Sequence, residues 1–253
     1  MKVTILGCGT STGVPMVGCR CAVCTSEDRR DRRTRSSILI EAAEKYIIVD
    51  TSPDLRRQAL REKVPHIDAV LFTHSHSDHI NGIDDLRGFH FIHRRLIPCF
   101  AVKESMDVIM ANFAYIFKGS ELPGYAPLLE PHQIDAPFAL FGLTVTPVPL
   151  MHGEFAATGY RIGGMAYLTD CSAIPGPSRE LLRDLEVLII DALRYTPHSN
   201  HFNIEGALEV AKELKPRRTI FTHLSHEVSY GDTVKLPAGV ELAYDGMVIE
   251  LEA

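Results

Sequence analysis

No apolar run in this 253-residue chain approaches the ~20 residues that cross a bilayer, so no membrane-spanning helix is expected. Basic residues are not in excess. Lys and Arg number 26 against 32 Asp and Glu, and the formal net charge of −6 argues against a broad electrostatic footprint for nucleic acid while leaving room for a local basic patch. Linkers, low-complexity tracts and clear repeats are also missing, which favours a single domain over residues 1–253. Met1 to Leu6 runs from a short strand straight into glycines, without the longer apolar core of a secretion signal, and a cytoplasmic location is expected. Cysteine is sparse and unevenly placed. Three of the six, Cys19, Cys21 and Cys24, fall within one loop, too close together to staple a fold as disulfides and well spaced for a zinc ion. Three thiolates leave a tetrahedral site one ligand short, which a distant His would complete.

The richest stretch is Thr73-His74-Ser75-His76-Ser77-Asp78-His79, directly after the apolar run Ala69-Val70-Leu71-Phe72. His74 and His76 are two apart, so on an extended backbone they project to one side and can grip one ion. Asp78 and His79 follow where the chain turns toward a helix-like segment, and they could hold a second ion. A single histidine would more often cap or fill a core, but this density at a strand end points to metal. The same rule, His or Asp closing an apolar strand, selects His152 after Val148-Pro149-Leu150-Met151, Asp170 after Tyr167-Leu168-Thr169, and His223 after Ile220-Phe221-Thr222. Asp50 closes Tyr46-Ile47-Ile48-Val49, where it could orient a ligand histidine or cap the helical segment 53–61.

Other features are structural on balance. The turn Gly7-Cys8-Gly9-Thr10-Ser11-Thr12-Gly13 lacks the Lys of a phosphate-binding P-loop and reads as a place where backbones approach closely. Arg29 to Arg35 carries five arginines with Asp31 among them; it reads as solvated surface, with one or two guanidinium groups reaching a substrate phosphate as the functional alternative. Cys8, Cys99 and Cys171 are expected as buried thiols. Helices are expected over 104–117 and over 203–214, the latter with Asn203 a better cap than His201, and the irregular segment 118–139 could border a substrate pocket. Two similar halves of strands and helices imply an α/β protein with two sheets and helices outside.

The His74-x-His76-x-Asp78-His79 stretch with its later partners resembles the signature of the metallo-β-lactamase superfamily. More narrowly, the turn from Gly7 to Pro15, the Cys19-x-Cys21-x-x-Cys24 loop, Thr222-His223-Leu224-Ser225-His226 and Tyr244-Asp245-Gly246-Met247 resemble the PhnP-type phosphodiesterases of the carbon–phosphorus lyase pathway. That resemblance implies an αββα sandwich of two mixed β-sheets, with a dinuclear site of Mn²⁺ or Zn²⁺. His74, His76 and His152 would hold one ion, Asp78, His79 and His223 the other, and Asp170 would bridge them. It implies a structural Zn²⁺ on Cys19, Cys21, Cys24 and His226 in a loop at about 18–35. It also places a catalytic histidine at His201, with neighbouring His198 as the less favoured choice, and Asp78 acting through the ion it holds. The activity implied is hydrolysis of a small, cyclic phosphodiester such as 5-phosphoribosyl 1,2-cyclic phosphate by a metal-bridging hydroxide, in a homodimer. A nuclease of the tRNA 3′-processing type, a thioester or ester hydrolase, and a non-catalytic protein retaining the fold are the competing readings.

Overall fold

The computed structural model describes residues 1–118 and 128–251. The first half of the chain forms β1 (Lys2–Gly7), β2 (Ser37–Ala42), β3 (Lys45–Val49), β4 (Ala69–Leu71), β5 (Ile97–Ala101) and β6 (Leu129–Gln133). The second forms β7 (Phe138–Leu140), β8 (Leu143–His152), β9 (Phe155–Ile162), β10 (Met165–Leu168), β11 (Val187–Asp191), β12 (Arg218–Thr222), β13 (Val240–Leu242) and β14 (Val248–Glu250). They make two seven-stranded sheets, ordered β14-β1-β2-β3-β4-β5-β6 and β13-β12-β11-β10-β9-β8-β7. In each sheet three antiparallel pairings give way to three parallel ones, at β3 in the first and at β10 in the second.

The alternation of apolar side chains builds three layers of core. Ile47 and Val49 of β3 face the second sheet, meeting Tyr160, Tyr167 and Ile189, while Ile48 between them faces outward. Outward residues of the first sheet pack under the helices Leu55–Arg61, Leu86–His93 and Lys103–Asn112; those of the second pack under Ile204–Leu214. Strands covered on both faces read as continuous apolar runs, which is why 46–49, 69–72 and 187–190 looked alike in the sequence. The architecture is the αββα sandwich.

Local departures have local causes. The helix expected over 104–117 is two, Lys103–Asn112 and Ala114–Lys118, because Phe113 leaves helical geometry at φ −122°. β8 runs to His152 through Pro147 and Pro149, which lie beyond the part of β8 that β7 covers, so their missing N–H groups interrupt no ladder on that side. Within the segment 118–139, residues 119–127 lie outside the described residues, and the remainder contains β6 and the start of β7. The arginine run is not simply solvated: Arg33 is buried, its guanidinium donating to the Ser225 carbonyl at 3.0 Å and to Asp31 at 3.1 Å. Arg30 pairs with Asp28 and stacks over Tyr230, and Arg35 pairs with Asp54. These partners absorb three of the five side chains the sequence left free.

Candidate metal centre

Parallel strands deliver their C-terminal ends to one edge of the sandwich, and every strand-end residue singled out above arrives there. Asp50, Asp170 and His223 each sit just past a strand, and each is in the left-handed region, at φ 64°, 52° and 58°. Asp and His tolerate that region better than branched residues, and the turn aims each side chain across the sheet edge. His74 and His76 lie beyond β4 rather than in it, yet an extended backbone at His76 brings their rings to 4.5 Å between centroids. Asp78 and His79 stand on the short helix Ser77–Ile80, and His152 ends β8 at its hairpin with β9.

Among the described residues at this edge, two groups of side chains able to hold a cation share no member, His74, His76 and His152, and Asp78, His79, Asp170 and His223; His201 makes two further groups that overlap them, with His152 and Asp170 and with Asp191 and His223. Asp170 joins the first two, with one carboxylate oxygen 3.0 Å from His79 Nε2 and the other 3.8 Å from His152 Nε2. Three of the rings are oriented from behind. His79 Nδ1 donates to Asp50 Oδ2 at 2.7 Å, His74 Nδ1 to Thr73 Oγ1 at 3.0 Å, and His152 Nδ1 to the Asn200 carbonyl at 2.8 Å. Thr73 in turn donates its N–H and hydroxyl to Asp50, so one buried carboxylate steers two histidines. Asp50 therefore contacts His79 directly and His74 through Thr73, and the helix Leu55–Arg61 makes no use of it as a cap.

The fit to a metal rests on what this packing leaves over. His74 Nε2, His79 Nε2 and both ring nitrogens of His223 are buried without a hydrogen-bond partner, a costly arrangement unless a cation completes it. Burial lowers the pKa of His74 and of His223, holding them in the neutral form that ligates. Burial opposes ionisation of Asp78 and Asp170 too, but the imidazoles around them outweigh it and keep both carboxylates well below their usual range. Among these imidazoles is His79, whose pKa Asp170, Asp50 and Asp78 raise against its burial.

His201 lies at the open side, its ring 4.7 Å from that of His152 and 4.8 Å from that of His223. Its Nδ1 donates to Asp191 Oδ2 at 2.7 Å, which turns Nε2 toward the cluster. Asp191 repeats, at the end of β11, what Asp50 does at the end of β3. The strand-end rule applied to Val187-Leu188-Ile189-Ile190-Asp191 would have found it. Asn200, whose contribution is a backbone carbonyl, carried no such signal. The helix expected from Asn203 is capped by it, its side chain accepting from Gly206 N–H at 2.9 Å, so His201 is not a cap.

Away from this edge, Cys19, Cys21, Cys24 and His226 also converge. His226 Nδ1 lies 3.4 Å from Cys19 Sγ and 3.3 Å from Cys21 Sγ, close to the ~3.5 Å edge expected of a tetrahedral zinc site with metal–ligand distances near 2.0 and 2.3 Å. Backbone N–H groups of Cys21, Cys24 and Met16 point at these sulfurs. The N–H of Cys24 and His226 lower the Cys21 thiol to about 6, whereas burial raises Cys24 to about 11. Cys8, Cys99 and Cys171 are buried, as expected.

A β-lactamase superfamily domain matches residues 45–224, and the chain belongs to that superfamily, as a hydrolase of metallo-β-lactamase fold. A diphosphatase of the PhnP family has a crystal structure that superposes with a TM-score of 0.93 at 42% identity, over 99% of this chain and 98% of that one. An octanoyltransferase of Porphyromonas gingivalis is 42% identical over 98% of this chain, which spans about half (51%) of that relative's length. Zn²⁺-bound PqqB from Methylobacterium extorquens shares the fold at 21% identity, with a TM-score of 0.82 over 99% of this chain and 100% of that one.

Proposed function

We propose that the chain is a metal-dependent phosphodiesterase acting on a small, cyclic phosphodiester such as 5-phosphoribosyl 1,2-cyclic phosphate. The observation that carries this is the pairing of two cation-binding groups through Asp170 with an oriented imidazole, His201, on their open side. In this reading His74, His76 and His152 would hold one ion and Asp78, His79 and His223 the second, with Asp170 between them. Divalent ions held there would supply an acidified water and neutralise charge at phosphorus. The chain's own part is to hold them: Asp50 and the Asn200 carbonyl fix the rings, and burial keeps water from competing. His201 Nε2, carrying a proton while Nδ1–H is engaged by Asp191, donates it to the departing sugar oxygen. Cys19, Cys21, Cys24 and His226 hold a structural zinc.

A second reading, cleavage of a diphosphate linkage, draws on the diphosphatase that shares 42% identity. Both reactions attack a phosphorus bearing two substituents. Acyl transfer is less well supported. It needs an activated nucleophile: Cys8, Cys99 and Cys171 are buried with their thiol pKa values pushed up by burial, and the one thiol lowered, Cys21, converges with Cys19, Cys24 and His226 in the candidate zinc site. This chain spans about half of the octanoyltransferase, so that relative's activity is not carried over to it. The test is turnover of bis(p-nitrophenyl) phosphate, p-nitrophenyl phosphate, a thioester and ADP-ribose with Mn²⁺ or Zn²⁺. Diester hydrolysis should dominate, depend on metal, and fall about 10²- to 10⁴-fold in kcat in His201→Ala. Preference for ADP-ribose would favour the second reading, and preference for the thioester would overturn both.

A further inference from the structure

His223 is aimed differently from the other buried histidines of the metal centre. His79 is held through its ring by Asp50, His74 by Thr73 and His152 by the Asn200 carbonyl, whereas neither ring nitrogen of His223 has a hydrogen-bond partner among the described residues. Its Nδ1 lies 3.4 Å from Asp170 Oδ2, which belongs to the same candidate ligand set and cannot orient the ring from behind. The direction of the imidazole is therefore set by its backbone, at φ 58°, and by what fixes the residues around it. Backbone bonds do part of this. The Thr222 carbonyl accepts from Ala192 N–H at 3.0 Å, Leu224 N–H donates to the Cys8 carbonyl at 2.8 Å, the Leu224 carbonyl accepts from Thr10 N–H at 3.2 Å, and Ser225 N–H donates to the Leu193 carbonyl at 2.9 Å. The Ser225 carbonyl is held by a side chain instead, accepting from the Arg33 guanidinium at 3.0 Å.

Arg33 and its partner Asp31 are each only 2% exposed. The second terminal nitrogen of the guanidinium donates to Asp31 Oδ1 at 3.1 Å, and the same oxygen accepts from Tyr230 N–H at 2.7 Å, so the pair grips the chain on both sides of His226. Gly9 lies between the arginine's segment and the loop, bridged to Arg35 on one side and to Leu224 on the other. A Cβ on Gly9 would meet the Arg33 carbonyl oxygen at 2.9 Å and the Arg33 Cβ at 3.0 Å, so the close approach requires glycine there. A buried ion pair is a poor source of stability, because desolvation offsets the attraction and apolar side chains of similar volume do as well or better. What a guanidinium adds is direction, since its planar fork holds two acceptors at a fixed angle to each other. Here the fork ties Asp31 to a carbonyl two residues past His223.

We infer that Arg33 is a positioning residue for His223: its fork fixes the turn 223–225 and so aims the imidazole at the ion shared with Asp78 and His79. This inference rests on the ligand sets proposed above and not on the reaction. Mn²⁺, which imidazole and carboxylate sites take and thiolate sites disfavour, would be titrated into the full chain by calorimetry. The proteins compared are wild type, His223→Ala, Arg33→Lys, the paired variant Asp31→Asn/Arg33→Met, and Leu182→Ala in the outer core of the second sheet as a measure of simple destabilisation. Lysine keeps the charge but has no fork, and the paired variant leaves no lone buried charge. The binding step that His223→Ala weakens should weaken about 10- to 100-fold in the paired variant and at least about threefold in Arg33→Lys, with the other step as in wild type. Arg33→Lys added to His223→Ala should leave that step within about twofold of His223→Ala alone. Both steps unchanged, both weakened alike as in Leu182→Ala, or an additive loss in the double variant overturns the inference. A His223→Ala protein that binds both ions as wild type does would overturn the ligand set and the inference with it. Selective weakening in a protein that turns over no phosphodiester would sustain the positioning role and overturn the reaction instead.

Discussion

Two carboxylates that touch no proposed ion do much of the orienting. Asp50 is buried and accepts from Thr73 twice and from His79 once, so its loss frees two rings together. Asp50→Ala is expected to lower active-site metal affinity about 10- to 100-fold, measured by competition with a chelator of known affinity. Asp191 aims a ring outside the two proposed ligand sets. Asp191→Ala should reduce kcat more than it changes KM, with metal stoichiometry as in wild type; a loss of bound metal would place Asp191 among the groups that hold the ions. Strand-end position made Asp50 visible in the sequence and would have served equally for Asp191, and the hydrogen-bond partners gave each its task.

At the scale of elements, the site depends on how closely the segment after β3 approaches the helix that carries Asp78 and His79. Thr51 N–H donates to the His79 carbonyl at 2.8 Å, and Gly82 N–H donates to the Thr51 carbonyl at 2.9 Å. A Cβ on Gly82 would lie 1.9 Å from the Ser52 carbonyl oxygen, so the approach requires glycine there. Gly82→Ala should cost about 1–3 kcal/mol of stability by overpacking, read as a lowered denaturant midpoint with unchanged slope. Gly7 has the same character: a Cβ there would lie 2.1 Å from the Arg35 carbonyl oxygen, which is the close backbone approach expected of the glycine-rich turn. Periodicity located the helix 204–214 to within a residue, because its apolar stripe and its Asn cap are both local. It missed the break at Phe113, since the apolar stripe there continues across two helices packed on the same sheet.

Across the whole molecule, the chain's far end closes its beginning. β14 pairs with β1, and Asp245 accepts from the Cys8 N–H at 3.2 Å, the Thr34 N–H at 2.9 Å and the Arg61 guanidinium at 2.9 Å. Asp245→Ala leaves the Cys8 and Thr34 N–H groups unpaired beside a buried gap and should cost about 1–3 kcal/mol, seen as a fall in Tm. Upstream of it, 223–226 spans the two candidate metal clusters: His223 belongs to one and His226 to the other. The wild type is expected to bind three divalent ions per chain and Cys21→Ser two, counted by elemental analysis after exhaustive dialysis. Retention of all three would remove the cysteine cluster as a metal site.

The sequence alone determined the fold class and brought forward the groups that converge at the sheet edge. Strands buried on both faces must be apolar along their length, and His or Asp closing such a strand stands out against that background. What only the tertiary structure decided was pairing across distance. That Asp191 serves His201, that Arg33 is buried against Ser225, and that Phe155 stands open beside His76 depend on which strand ends become neighbours. No local pattern encodes that choice, because it is set by the parallel crossovers of two sheets packed face to face.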